Sequence, residues 1–183
     1  MALWVVLGLA VLVVLIGVSI YNGLVRLRVR SDEAWSDIDT QLKRRHDLIP
    51  NLVETVKGYA AHERGVFEKV AEARSRAMAA TTPAQSAQAE GMLTQALRGL
   101  LAVAENYPEL KANQNFLSLQ QSLAETENAI AGSRQAYNAV VRDLNTRIQS
   151  VPSNIVAGMF NFQRREFFEI QEAGERAVPQ VRF

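Results

Sequence analysis

From Ala2 to Ile20 the chain carries no charged side chain; Trp4, Gly8, Gly17 and Ser19 stand among alanine, leucine, valine and isoleucine. As a helix this run is about 28 Å long at about 1.5 Å per residue, close to the ~30 Å hydrocarbon thickness of a bilayer. Trp4 and Tyr21 lie near its two ends, where amphipathic rings favour the headgroup level. A secretory signal peptide is the competing reading. Against it stand the lack of a basic residue before the run, the length of the run, and the lack of a clean small-x-small cleavage site. The expectation is a retained transmembrane anchor over residues 1–21. The chain has no cysteine, which excludes an acylated lipoprotein anchor, disulfides and thiol chemistry.

The flanks set the expected orientation. Arg26, Arg28 and Arg30 follow the run before the first acid, Asp32. The positive-inside bias then puts the amino terminus outside and residues 22–183 in the cytoplasm, as a single-pass protein of the inner membrane. The same arginines are close enough to the bilayer to meet anionic headgroups. Lys plus Arg total 20 against 19 Asp plus Glu, so the net charge is +1 and no single-sign field exists to attract a nucleic acid.

Beyond the anchor, apolar residues recur in steps of three and four. One seam holds Leu24, Trp35, Ile38, Leu42, Ile49, Leu52, Val56, Tyr59, Val66 and Val70. Thr82-Pro83-Ala84-Gln85 announces a further helix, with Thr82 as cap, Pro83 in the first turn and Gln85 closing a capping box. Asn106-Tyr107-Pro108 ends it. A last long stripe carries Phe116, Leu119, Leu123, Ile130, Tyr137, Val140, Leu144 and Ile148 before Val151-Pro152-Ser153. Pro50 leaves two arrangements open. One is a long helix in which the His46 carbonyl loses its donor; the other is a corner at 46–49 with Pro50 starting a new helix. Comparable helix lengths favour the corner. The expected fold is all-α: an N-terminal transmembrane helix, then an antiparallel four-helix up-and-down bundle over 22–152, then an aromatic-rich segment over 153–183.

The motifs of catalysis and metal binding are missing. His62-Glu63-Arg64-Gly65-Val66 begins like a zinc-protease motif, but Val66 stands where the second histidine is needed. Lys43 and Tyr59 precede His46 and His62 by three residues, so the Glu-x-x-His pairs of di-iron bundles are absent. No nucleotide-binding glycine loop or nucleophile elbow occurs. The expectation is no catalytic residue, no cofactor and no metal.

Three polar or aromatic clusters remain. Lys43, Arg44, Arg45, His46 and Asp47 read either as a partner contact or as a charged corner with Arg45 pairing to a carboxylate along the seam. Arg134, Tyr137, Asn138, Asn145 and Arg147 read either as register-fixing polar groups or as a partner face. Phe160, Phe162, Phe167 and Phe168, with Phe183, make up most of the seven phenylalanines. They either cover an open end of the bundle or form a surface for self-association or the membrane.

The strings Asp32-Glu33-Ala34-Trp35, Arg44-Arg45-His46-Asp47-Leu48-Ile49-Pro50-Asn51, Tyr107-Pro108-Glu109-Leu110 and Glu125-Thr126-Glu127-Asn128 resemble the LemA family of bacterial membrane proteins. So do Tyr137-Asn138 and Pro152-Ser153-Asn154, and the likeness runs from residue 21 to about residue 168. The resemblance implies one amino-terminal span and a helical bundle, and it carries over no catalytic residue. It also implies links to specialised membrane compartments and a gene neighbourhood shared with a membrane zinc protease. Together these readings predict a non-enzymatic scaffold that lies on the lipid bilayer and forms a homo-oligomer. The alternative is an adaptor or regulator of another membrane protein, such as a protease.

Overall fold

One helix, α1, runs from Ala2 to Lys57 with Pro50 inside it. The computed structural model describes residues 1–169 of the chain. After α1 come α2 (Arg64–Ala79), α3 (Pro83–Ala104), the single turn α4 (Pro108–Lys111), α5 (Gln114–Gln149) and α6 (Ser153–Met159). No strand occurs among the described residues. The side chains of residues 2–16 are all exposed, and α1 holds the one stretch among the described residues long and apolar enough to cross a membrane.

The corner expected at residues 46–49 is absent, and the chain turns at 58–63 instead. A proline inside a helix removes the donor that the carbonyl four residues earlier needs, at a cost of about 3 kcal/mol or more. Here that carbonyl belongs to His46, and Arg74 of α2 donates to it through Nε at 2.9 Å. A side chain distant in sequence thus replaces the lost backbone donor, and the same bond ties α2 to α1.

The chain divides into two units, neither of them one continuous stretch. The first comprises Met1–Ile38 and Ser133–Glu166. Its core is Ile20 and Leu24 of α1, Leu144 of α5 and Ala157 of α6, with Leu27, Ile148, Val156 and Phe162 packed around them. The second comprises Asp39–Gly132 and, of the described tail, residues 167–169. Its core joins Leu52 and Val56 of α1, Val70 of α2, Leu93 and Leu100 of α3, Leu110 of α4 and Phe116 of α5. Each of these side chains contributes about 1.5–3 kcal/mol by leaving water. Of the residues on the two expected stripes, Trp35, Val66, Leu119, Leu123, Val140 and Ile148 are only half-buried and Tyr59 is exposed.

Local chemistry sets the helix starts. Thr82 accepts from the Gln85 N–H at 3.3 Å, and Pro83 occupies the first turn of α3. Gln85 Oε1 reaches one residue further back than a capping box requires, accepting from the Thr81 N–H at 3.2 Å and hydroxyl at 3.0 Å. Asn113 begins α5: its Oδ1 accepts from the Asn115 and Phe116 N–H groups at 2.9 and 3.1 Å. Its amide also donates to the Tyr59 hydroxyl at 3.1 Å, joining the start of α5 to the turn after α1.

Replacing Arg74 by Ala leaves the His46 carbonyl unpaired and should lower stability by about 1–3 kcal/mol. In a Pro50→Ala background the backbone regains its donor, so the same substitution should cost clearly less. A double-mutant cycle on the full chain in detergent, read by urea unfolding, measures the difference. Equal costs in both backgrounds would refute the replacement of the donor by Arg74.

Candidate functional site

The second unit buries a charge cluster. Arg45 and His46 lie on the inward side of α1, and Glu90 faces them from α3 with only 1% of its surface exposed. Glu90 uses both oxygens: Oε2 accepts from Arg45 Nη1 at 3.0 Å, and Oε1 is 2.6 Å from His46 Nε2. Arg45 Nη2 donates to the Thr94 hydroxyl at 2.7 Å and pairs with Glu127 of α5 at 3.1 Å. Four residues from three helices therefore converge on one guanidinium or on its partner. Removing one member of a buried ion pair strands the other in a low-dielectric interior, at a cost of about 3–5 kcal/mol.

The five residues of the expected corner separate. Arg45 and His46 are buried, whereas Lys43, Arg44 and Asp47 are exposed. Only those three are available at the surface. Glu90, Thr94, Glu127 and Arg74 were not singled out in the sequence. Glu90 had a readable signal: it falls three residues after Ala87 and three before Leu93, a charge in the middle of an apolar stripe. Among the described residues, no three His, Asp or Glu side chains gather as a metal site would need.

In the first unit, the polar residues of α5 hold the tail. Asn145 makes a two-bond clamp on Arg165, its amide donating to the carbonyl and its Oδ1 accepting from the N–H, both at 2.9 Å. Tyr137 donates its hydroxyl to the Glu166 carbonyl at 2.9 Å, and its ring lies 5.5 Å from that of Trp35. The Arg165 guanidinium reaches Asp32 of α1 at 2.6 Å. Burial is the main cause that pushes the Tyr137 phenol above the ordinary value of 10.0; Arg165 opposes the shift, and Glu166 and Asp32 add to it.

The aromatic tail residues also separate. Phe160 and Phe162 pack against Tyr21 with ring centroids at 4.7 and 5.7 Å, the first tilted by 57° and the second edge-on at 72°. Phe160 stays exposed, Phe162 and Phe167 are half-buried, and Phe168 is fully buried. Phe183 lies outside the described residues. At the other end of the apolar run Trp4 is exposed, as are Arg26, Arg28 and Arg30 beyond Tyr21.

A helix whose residues 2–16 are uncharged and exposed, continued into a helical domain, defines a membrane-associated helical protein. Its family follows from comparison: the LemA family profile matches residues 34–183, and the chain belongs to the LemA family. It is 27% identical to magnetosome protein MamQ 2 of Paramagnetospirillum magneticum, over 86% of this chain and 68% of that protein. Identity to magnetosome protein MamQ of Magnetospirillum gryphiswaldense is 25%, over 88% of this chain and 70% of that protein. Protein LemA of Metamycoplasma hominis is 24% identical over 82% of this chain and 69% of its own length.

Replacing Glu90 by Ala should lower stability by about 3–5 kcal/mol. Replacing the half-exposed Glu127 should cost about 1 kcal/mol or less. Chemical denaturation of the two variants tests this; equal losses would mean that Glu90 is not the buried hub.

For Tyr137 the sign is fixed by the raised value. The folded phenol holds its proton to higher pH than the unfolded one. The stabilisation is therefore complete below pH 10.0 and is lost as pH rises through the folded value. In an alkaline absorbance titration, one of the four tyrosines should ionise late, and Tyr137→Phe should remove that late phase. A variant that keeps the phase would assign it elsewhere.

Proposed function

We propose that this protein is a non-enzymatic, single-pass scaffold of the bacterial inner membrane that works by self-association, with its amino terminus outside and its helical domain in the cytoplasm. The observation that carries this reading is α1. The membrane-length apolar run and the packed residues up to Lys57 belong to one unbroken helix, so the run passes into the helical part without a linker segment. Five helices contribute to the second unit, namely parts of α1 and α5, all of α2 and α3, and the single turn α4, and their connections are short. Both features support an antiparallel up-and-down bundle. Exposed Met78, Met92 and Leu117, and the open space beside Gly8 and Gly17 in the span, support contact between copies. Likeness to magnetosome proteins supports a place at a membrane compartment.

The second reading, an adaptor for another membrane protein, is favoured by the exposed Lys43, Arg44 and Asp47. Light scattering on the full chain in mild detergent separates the two. The scaffold requires a homogeneous assembly of several copies, and a monomer leaves the adaptor. A chain starting at Asn22 should retain part of the assembly if the helical domain contributes to it. For orientation, alkaline phosphatase fused after Phe183 should be inactive; an active fusion would reverse the assigned topology.

A further inference from the structure

The end of the first unit beside the apolar run has a surface unlike that of a domain surrounded by water. No charged residue occurs between Arg147 and Arg164. Within that stretch Val151, Ile155, Met159 and Phe160 are exposed, at 79%, 62%, 76% and 57%. Ile155 and Met159 are four apart and share the outer face of α6, opposite the buried Ser153 and Ala157. The face is also located along α1. The Phe160 ring lies 4.7 Å from that of Tyr21, tilted by 57°, and Tyr21 follows directly on the aliphatic part of the run, five residues before the first charge, Arg26.

Beside α6 lies an open groove of about 640 Å³. Ile20 and Leu27 of α1 line one wall, Arg142, Thr146 and Arg147 of α5 another, and Val151 joins them from the turn; Asp143 also borders it. Ile20 is the last aliphatic residue before Tyr21 and Asn22, and Leu27 lies just past the first charge, Arg26, about 10 Å further along α1 at about 1.5 Å per residue. A headgroup layer is about 5–8 Å deep on each side of the hydrocarbon, so the groove spans that layer. The Arg147 guanidinium rests on α1 at Gly23, where a Cβ would meet Nη2 at 3.7 Å. Gly23 is three residues past Ile20, about 4.5 Å, which is phosphate depth. Neither Arg142 nor Arg147 has an ion-pair partner among the described residues.

We propose that α6 and this groove form a second membrane contact, with Ile155, Met159 and Phe160 entering the bilayer interface while Arg142 and Arg147 hold the phosphate of an anionic phospholipid. The occupant is lipid because the groove adjoins the span, pairs apolar walls with guanidinium groups, and sits at headgroup depth. An apolar helical face lying in the interface gains from burial of its side chains and from attraction of nearby cations to anionic lipid. The contact would fix the tilt of α1, since a helix held at one point can tilt and a second contact beside it resists tilting.

The proposal rests on residues 2–20 spanning a bilayer, and its test separates the two ideas. Because the chain has no cysteine, single Leu12→Cys, Met159→Cys and Met78→Cys variants of the full chain can each carry one nitroxide. They are placed in phosphatidylcholine vesicles containing phosphatidylglycerol. The ratio of accessibility to oxygen over an aqueous nickel chelate should be several-fold higher at positions 12 and 159 than at 78. A lipid-like signal at 12 with a water-like signal at 159 overturns the second contact and leaves the span intact. A water-like signal at 12 overturns both. For the groove, mass spectrometry of the detergent-solubilised full chain should find phosphatidylglycerol retained over phosphatidylcholine. Arg142→Gln with Arg147→Gln should abolish that preference while the label at 159 stays in lipid. An unchanged preference, or loss of the lipid on adding inorganic phosphate, would overturn the headgroup assignment.

Discussion

The bond from Arg74 to the His46 carbonyl decides the character of the whole chain. Without it, Pro50 would leave an acceptor without a partner in the middle of α1, and the helix would have reason to end there. With it, one helix extends from the membrane run to Lys57.

The charge cluster around Glu90 lies in the same part of α1 and serves the same end by different physics. A buried carboxylate is tolerable only when its lone pairs are occupied, and here Arg45 and His46 occupy them. Hydrophobic packing alone leaves a helix free to slide by a turn at modest cost. A buried hydrogen-bonded charge does not, because a shifted register strands it. Arg45 also links α1 to α3 and α5 through Glu90, Thr94 and Glu127. The cluster thus fixes which faces meet, while the surrounding aliphatic side chains supply most of the stabilisation.

The tail has an analogous arrangement in the other unit. Asn145 and Tyr137 take up backbone groups at residues 165 and 166 that a segment without regular structure would otherwise leave to water. Phe160 and Phe162 are thereby kept beside Tyr21. Aromatic residues that stand together in the sequence are distributed by these bonds among different tasks: Phe168 is interior, and Phe160 is surface.

Much of this was legible in the order of residues. An uncharged run of membrane length, a three-and-four apolar rhythm, and Thr82-Pro83 before a helix follow from local physics: transfer free energy, helix geometry and capping. The family strings were legible too, and the family profile covers them from residue 34 on. What the sequence left open was decided by partners distant in the chain. Pro50 breaks a helix by local rules, and only Arg74, brought near by the α1–α2 turn, supplies the missing donor. The pairing of Arg45 with a carboxylate along the seam is legible, but that the carboxylate is Glu90 of α3, and that His46 joins it, is not. Asn145 looks like a register residue until the backbone at Arg165 lies across it. A sequence states which hydrogen-bonding groups exist and which periodicity buries them. Tertiary structure determines which unsatisfied groups find each other, because those pairings depend on distances that no local rule contains.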